Sequence, residues 1–253
     1  MTPTRSATVR VSWTRMLAVA RVRVHRAIRT RLVLAALVLA LLPWCLVESS
    51  ALLVRLSSLA EFTLAGLAAL GAGVLSDDID SGEYAIALTH DCSPVEVLAG
   101  QGAASLALIA VLVLLQLPIA LYGVSRPGLS PLLFSLAWVV ALSASWLGLL
   151  MLLGTVLDGK ANAVAMVAAL AIVPLLVGGG ILDRAPRTLA MAVHGALQLL
   201  PQMDHATKIV RSLVLGTPVP VVPSLVLLVS PVLYFALALV RLYRLEPAGR
   251  LTQ

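Results

Sequence analysis

Six long apolar stretches constrain the fold of this chain more than any other feature of its sequence. They lie at about residues 32–47, 52–75, 95–122, 131–157, 161–182 and 222–240. A membrane-spanning helix needs roughly 20 mainly apolar residues, whereas a membrane β-barrel strand alternates apolar and polar positions. These stretches are apolar on all faces, and 60% of the chain is hydrophobic, more than a soluble core could hide. We therefore predict an all-α polytopic membrane protein with six transmembrane helices in one domain, residues 1–253.

Basic residues flank the apolar region at both ends of the chain. They are Arg5, Arg10, Arg15, Arg21, Arg23, Arg26, Arg29 and Arg31 before it, and Arg241, Arg244 and Arg250 after it. Positively charged flanks stay in the cytoplasm, and an even number of spans puts both termini on that side. Residues 183–221 then lie outside, with short helices at about 189–200 and 206–215. We attribute the net charge of +6 to this asymmetry and to anionic membrane lipid, not to a nucleic-acid partner.

Residues 12–31, directly before the first apolar stretch, have the pattern of an amphipathic helix. An apolar stripe recurs at helical spacing, and basic residues fall beside or opposite it. The stripe consists of Trp13, Met16, Leu17, Ala20, Val24, Ala27 and Ile28. This pattern predicts a helix that lies in the headgroup plane of the membrane. The alternative is a basic flank that only fixes the topology.

The segment between the second and third stretches, residues 76–96, contains half of the twelve acidic residues of the chain. Asp80 with Glu83 three residues later predicts a short capped helix, and Ser93, Pro94 and Glu96 predict a capping box that opens the third span. We interpret residues 76–94 as a stiff cytoplasmic loop presented to a partner protein. The alternative is a solvated acidic loop that only returns the chain.

Two charged residues, Arg55 and Glu61, fall inside the second apolar stretch. Arg55 is near its outer end and can extend to the headgroups. Glu61 is deeper, where a carboxylate is costly and should face protein or water. Glu61 is a candidate pathway or gating residue, and the alternative is a structural contact with a neighbouring helix or with Arg55.

In the fifth stretch, Pro174 and the glycines at 178–180 predict a kink or break.

Catalytic and metal-binding motifs are missing from the sequence. It has no Gly-x-Ser-x-Gly nucleophile elbow and no phosphate-binding loop ending in Gly-Lys-Ser/Thr. His194 and His205 are eleven residues apart, which is not the spacing of a zinc motif. We therefore expect no enzyme activity, no metal site and no cofactor in this chain. A membrane enzyme would need Glu61, His194 or His205.

At three points the acidic segment is similar to one known family. Residues 78–82 form an acidic-x-x-x-Gly pattern, Leu88-Thr89 lies near the loop's end, and residues 93–101 combine a proline turn with a Leu-Ala-Gly helix opening. Together with the predicted layout, these features resemble the ABC-2 type transporter permeases. The chain departs from that family where Gln101 replaces the usual lysine and Val95-Glu96 stands where Ser-Arg is common.

The resemblance implies a permease of the bacterial inner (cytoplasmic) membrane. In that family the permease itself is not an enzyme, because separate cytoplasmic ABC ATPase subunits bind the ATP and Mg. The permease dimerises, with itself or with a related chain, and exports a substrate. Its coupling residues would be Asp78, Asp80, Gly82, Glu83, Tyr84, Leu88 and Thr89. A haem- or copper-maturation-type ABC permease is an alternative within the class. An alternative of another class is a non-transporting membrane anchor whose acidic loop recruits a soluble partner.

Overall fold

The computed structural model describes residues 11–48, 51–71, 73–89, 92–124, 129–178 and 203–250, with residues 186, 188 and 191. This part of the chain is helical and contains no strand. Its helices are α1 (Trp13–Arg29), α2 (Leu32–Leu41), α3 (Leu52–Gly71), α4 (Ser76–Asp80), α5 (Glu83–Thr89), α6 (Pro94–Leu121), α7 (Leu129–Leu153), α8 (Gly159–Gly178), α9 (Met203–Leu215) and α10 (Val221–Arg250). A 3₁₀ helix, Leu42–Leu46, follows α2. The predicted all-α class is confirmed.

Among the described residues, four helical segments are long and apolar enough to cross a membrane: Leu52–Asp80, Pro94–Leu121, Leu129–Leu153 and Val221–Arg244. A fifth would be the pair formed by α1 and Leu32–Leu46, which is bent by 71°. The first predicted stretch therefore does not qualify alone, because α2 has ten residues and its 3₁₀ extension five. The apolar helices fit a membrane protein, and the count of six spans stays a prediction.

The second half of the predicted membrane region is described only in part. Helix α8 covers the fifth apolar stretch and continues through Pro174 to Gly178, so the described helix is not broken at the proline. The rest of that stretch and the helix predicted at 189–200 lie outside the described ranges. The helix predicted at 206–215 is α9, which begins three residues earlier, at Met203.

The core forms where α3, α6, α7, α9 and α10 meet. Helix α7 packs against α10, α3 packs against α6, and α9 contacts α3, α7 and α10. Fully buried side chains include Leu56, Leu59, Leu67, Leu142 and Ile209. Large apolar side chains on the outer surfaces of α7 and α10, such as Phe134 and Val232, are exposed, as expected for helices in lipid. Helix α9 is thus packed between the longer helices, with Ala206, Ile209 and Val210 buried.

Small residues let α7 and α10 approach closely. A Cβ atom on Gly148 would lie 3.3 Å from the carbonyl oxygen of Pro231. Beside it, the hydroxyl of Ser145 donates to the carbonyl of Leu227 at 3.1 Å, and the hydroxyl of Ser230 donates to Ser145 at 2.9 Å. Small side chains and hydroxyl hydrogen bonds are the usual means of association between membrane helices, where burial of apolar surface offers no advantage over lipid.

Helix α1 joins α2 through a sharp elbow and lies across the start of α6. Arg31, between α1 and α2, has a left-handed backbone with φ 61°. At the crossing with α6, a Cβ atom on Gly100 would lie only 2.6 Å from the carbonyl oxygen of Met16 and 2.8 Å from Cβ of Val19. Glycine is therefore required for the contact between the two helices. The contact places α1 against the acidic segment.

Candidate functional site: an acidic segment held by the N-terminal helix

The acidic segment folds into two short helices, α4 and α5, separated by Ser81 and Gly82. Gly82 has φ +76°, a conformation that glycine adopts at no steric cost. The amide of Ser81 donates to the carbonyl of Asp77 at 3.0 Å, and the amide of Gly82 donates to that of Ile79 at 3.2 Å. These bonds end α4 in the manner of a glycine-terminated helix. The prediction that Asp80 caps one short helix was wrong, since Asp80 is the last residue of α4.

Two carboxylates of this segment turn back towards α1. Arg26 forms salt bridges with both Asp78 and Glu83. Asp78 also accepts a hydrogen bond from the side-chain amide of Gln101 on α6. The Asp78 side chain is 17% exposed and that of Glu83 45%, so the first pair is the more protected from water. Arg26 thus connects α1 to both short helices of the acidic segment.

A second arginine of α1 is buried beside the first. Arg23 is 4% exposed, and its guanidinium donates to the carbonyl oxygen of Leu70 at 2.5 Å. Its Nε atom is buried and has no hydrogen-bond partner among the described residues. The sequence pattern placed Arg23 beside the apolar stripe of an amphipathic helix, and it did not reveal that this arginine is buried.

The predicted coupling residues divide into an inner and an outer group. Tyr84 is buried, and Asp78 and Leu88 are partly buried, whereas Asp80 and Glu83 are exposed. Gly82 lies at the turn between the helices, and the backbone of Thr89 ends α5 while its side chain is outside the described set. Ile86 on α5 is 56% exposed. The exposed side chains of the segment therefore include Asp80 and Glu83 beside the turn and Ile86 on α5.

A capping box begins α6. The hydroxyl of Ser93 accepts from the amide of Glu96 at 3.3 Å, the amide of Ser93 donates to Oε2 of Glu96 at 2.8 Å, and Pro94 occupies the first turn. The other carboxylate oxygen of Glu96, Oε1, accepts from the backbone amide of Ser12 at 2.5 Å. Ser12 is the residue before α1, so one carboxylate stabilises the N-termini of two helices. The sequence motif predicted that Glu96 caps α6, but not that it also binds the backbone amide before α1.

Arg55 and Glu61 lie on different faces of α3. Arg55 is buried: its guanidinium donates to the carbonyl of Ile119 at 3.3 Å and lies 5.9 Å from the ring centre of Trp44. The prediction that Arg55 extends to the headgroups was therefore wrong, because the 3₁₀ helix places an aromatic ring over it. Glu61 is exposed, and it takes part in no ion pair within the described ranges. The face of α3 that carries Glu61 also carries Val54 and Ala65.

A buried polar network that the sequence analysis missed joins the 3₁₀ helix, α3 and α6. The indole N–H of Trp44 donates to Oε1 of Gln116 at 3.1 Å, and Nε2 of Gln116 donates to the hydroxyl of Thr63 at 3.2 Å. Trp44 also packs edge-on against Phe62, with ring centres 5.2 Å apart. The sequence did contain a signal for this network, namely Gln116 with apolar residues on both sides. A buried side-chain amide needs hydrogen-bond partners.

In the part of the chain that the structure describes, no group of three or more His, Cys, Asp or Glu side chains could hold a metal ion. His205 is buried on α9, where burial lowers its pKa below the ordinary value of 6.5. His194, the other histidine considered for such a site, lies outside the described residues.

No protein-family model matches the chain, and a search of curated proteins returned no match. A functional assignment for this protein therefore rests on the geometry of the acidic segment and the helices around it.

Proposed function

We propose that this chain is the transmembrane permease subunit of an ABC-2 type transporter in the bacterial inner membrane, with both termini in the cytoplasm. The observation that carries the proposal is the position of α4, at the end of one candidate span, and of α5, just before the next, both braced by Arg26 of the amphipathic helix α1. An ATPase that pushes on a segment needs that segment to be stiff. The salt bridges and the close contact of α1 with α6 supply that stiffness.

In this proposal the outward surface of the segment docks on the ATPase. Asp80 offers a charge at the turn, and Ile86 offers an exposed apolar side chain, the combination that suits a groove with an apolar floor and a polar rim. The inner residues, Asp78 and Tyr84, hold the segment to its own protein. The proposal therefore separates the predicted coupling residues into those that contact the partner and those that transmit its movement.

Movement of the segment would reach two spans at once. Helix α4 continues the span that begins at Leu52, and the capping box at Ser93 begins α6 a few residues after α5. Glu96 also connects the start of α6 to the start of α1. ATP and Mg would be bound by the partner ATPase, and their binding and hydrolysis would shift these helices together, moving substrate outward.

Glu61 marks the surface that would face a second permease chain or the substrate pathway. A carboxylate exposed on an otherwise apolar helix is costly in contact with lipid, so its outward face needs another polar or protein surface. The small neighbour Ala65 permits close approach on the same face. A dimer, of this chain or with a related chain, would supply that surface.

Co-purification tests the proposal. The chain would be expressed with the ABC ATPase encoded by a neighbouring gene, extracted in detergent and isolated, as wild type and as the double variant Asp80→Lys/Ile86→Asp. Asp204→Lys is the matched control, because Asp204 is an exposed carboxylate on α9, far along the chain from the segment. We expect the ATPase to be retained by the wild type and the control and lost from the double variant.

Two results would contradict the proposal. The first is a folded wild-type protein that retains no ATPase, and the second is equal retention by the double variant. Stimulation of ATP hydrolysis by substrate separates a permease from a membrane anchor, since an anchor would recruit the ATPase without such stimulation.

A further inference from the structure

A cavity of about 540 Å³ lies between α1, α5 and α6. Its size is within the range of small-molecule sites in proteins. Apolar side chains of all three helices line the cavity, among them Val19, Val22, Ile86 and Val97, and the lining also includes Arg15, Arg23 and Gln101. The lining is therefore mainly apolar with several cationic side chains, a combination that suits an amphiphilic ligand.

Two buried polar atoms of the lining lack partners in the described structure. One is Nε of Arg23, a donor on a side chain that is 4% exposed. The other is Oε1 of Gln101, an acceptor on a side chain that is 1% exposed. The amide nitrogen of Gln101 is engaged by Asp78, which leaves the oxygen as its free end. Because a buried polar group without a hydrogen bond is costly, a ligand that satisfies both atoms would be favoured.

The charges around the cavity favour an anion. A second cavity of about 410 Å³ shares Val22, Arg26 and Glu83 with the first. Across the two cavities, the arginines at 15, 21, 23, 26 and 29 outnumber two carboxylates, Asp78 and Glu83. At the mouth, Val22 of α1 is 60% exposed, so an acyl chain lying against it would cover apolar surface.

We propose that this cavity binds an anionic phospholipid with a hydroxyl-bearing headgroup. The phosphate accepts a hydrogen bond from Nε of Arg23, the headgroup hydroxyl donates to Oε1 of Gln101, and an acyl chain covers Val22 of α1. This site is independent of the permease assignment, because it needs only that α1 lies at a membrane surface.

Native mass spectrometry of the detergent-solubilised protein tests the site, with lipids added in increasing amounts. Phosphatidylglycerol is compared with phosphatidylcholine of the same acyl chains, which lacks both the net charge and the hydroxyl. Arg23→Gln removes the guanidinium, with its charge and its Nε donor, and Ala87→Phe fills the cavity while leaving every charge in place. Arg211→Gln is the control, because it removes one exposed arginine on α9. Circular dichroism and a monodisperse elution profile establish that each variant is folded.

We expect the wild type to bind phosphatidylglycerol about tenfold more tightly than phosphatidylcholine, since only the former offers a headgroup hydroxyl to Gln101 and one hydrogen bond is worth up to about that factor. Both lipids contain the phosphate, so each cavity variant should weaken phosphatidylglycerol binding by about tenfold, and the control should leave it unchanged. Equal binding of the two lipids by the wild type, or unweakened phosphatidylglycerol binding by Ala87→Phe, would overturn the proposal. Displacement of phosphatidylglycerol by millimolar inorganic phosphate would show an anion site without a lipid role. If Arg23→Gln does not fold, Ala87→Phe decides alone.

Discussion

Replacement of Arg26 by glutamine should loosen the acidic segment from α1, and the two salt bridges should respond differently. The side-chain exposures are 23% for Arg26, 17% for Asp78 and 45% for Glu83. Exposed pairs contribute about 0.2–1 kcal/mol, whereas breaking a fully buried pair costs about 3–5 kcal/mol. The pair with Asp78 lies between these cases, so we expect a coupling free energy of about 1–2 kcal/mol. The pair with Glu83 should give about 0.5 kcal/mol.

Double-mutant cycles measure both values. The unfolding free energy would be obtained from titration with sodium dodecyl sulfate, followed by circular dichroism, for Arg26→Gln, Asp78→Asn, Glu83→Gln and the two pairs of substitutions. Arg26→Gln with Asp80→Asn is the control cycle, because Asp80 forms no salt bridge in the described structure. Its coupling should be close to zero.

Salt should separate the two pairs further. Screening becomes strong at about 1 M salt, where the Debye length falls to about 3 Å, and it acts mainly on exposed charges. The Glu83 coupling should then vanish while most of the Asp78 coupling remains. A larger coupling for Glu83 than for Asp78, or no coupling for either, would refute the inference that Arg26 braces the segment.

Three further predictions concern the packing around the site. Gly100→Val should destabilise the protein by about 1–3 kcal/mol, because its side chain would begin 2.6 Å from the carbonyl oxygen of Met16; thermal unfolding in detergent measures this, and an unchanged transition would contradict the close contact. Gln116→Leu should lower the free energy of unfolding by about 1–2 kcal/mol, because two interhelical hydrogen bonds of about 0.6 kcal/mol each are lost and the indole N–H of Trp44 is left unpaired. A decrease of less than about 0.3 kcal/mol would show that the network does not stabilise the protein. Burial lowers the pKa of His205 from its ordinary value of 6.5. Below pH 6.5 the unfolded state therefore binds a proton at His205 that the folded state does not bind. As the pH falls from 6.5 to the lowered pKa, the free energy of unfolding should decrease by up to about 1.4 kcal/mol per pH unit. His205→Gln should remove this component of the pH dependence, and an identical profile would exclude it.

The positions of the helices were largely predictable from the sequence. Residues 95–122 were expected to span the membrane, and α6 runs from Pro94 to Leu121. The length of the apolar stretch and the capping motif are enough to predict where α6 begins and ends, because both depend only on residues of that segment. The same reasoning failed for α2, whose apolar run was broken at Leu42 by a 3₁₀ helix containing Pro43.

The partners of the charged residues were not predictable, because they depend on contacts between distant segments. Arg26 was expected opposite the apolar stripe of a helix in the headgroup plane, but it meets Asp78 and Glu83, which are 52 and 57 residues away. Arg55 was expected near the headgroups, but the fold places Trp44 beside it. Periodicity shows which residues share a helix face, and only the tertiary packing decides whether that face meets lipid, water or protein.

Helix α1 is held at both of its ends. Its C-terminal end is held by the elbow at Arg31, and its N-terminal end by the hydrogen bond from the backbone amide of Ser12 to Glu96. At 1.5 Å per residue the helix is about 25 Å long, so release of the Glu96 end with a tilt of about 10° would move that end by about 4 Å. The contact with α6 at Gly100 and the bond from Arg23 to Leu70 would resist that tilt. The acidic segment is attached near the Arg31 end of α1, through Arg26. Arg26 lies about 7 Å along the helix from the elbow, so the same tilt would move the acidic segment by only about 1 Å.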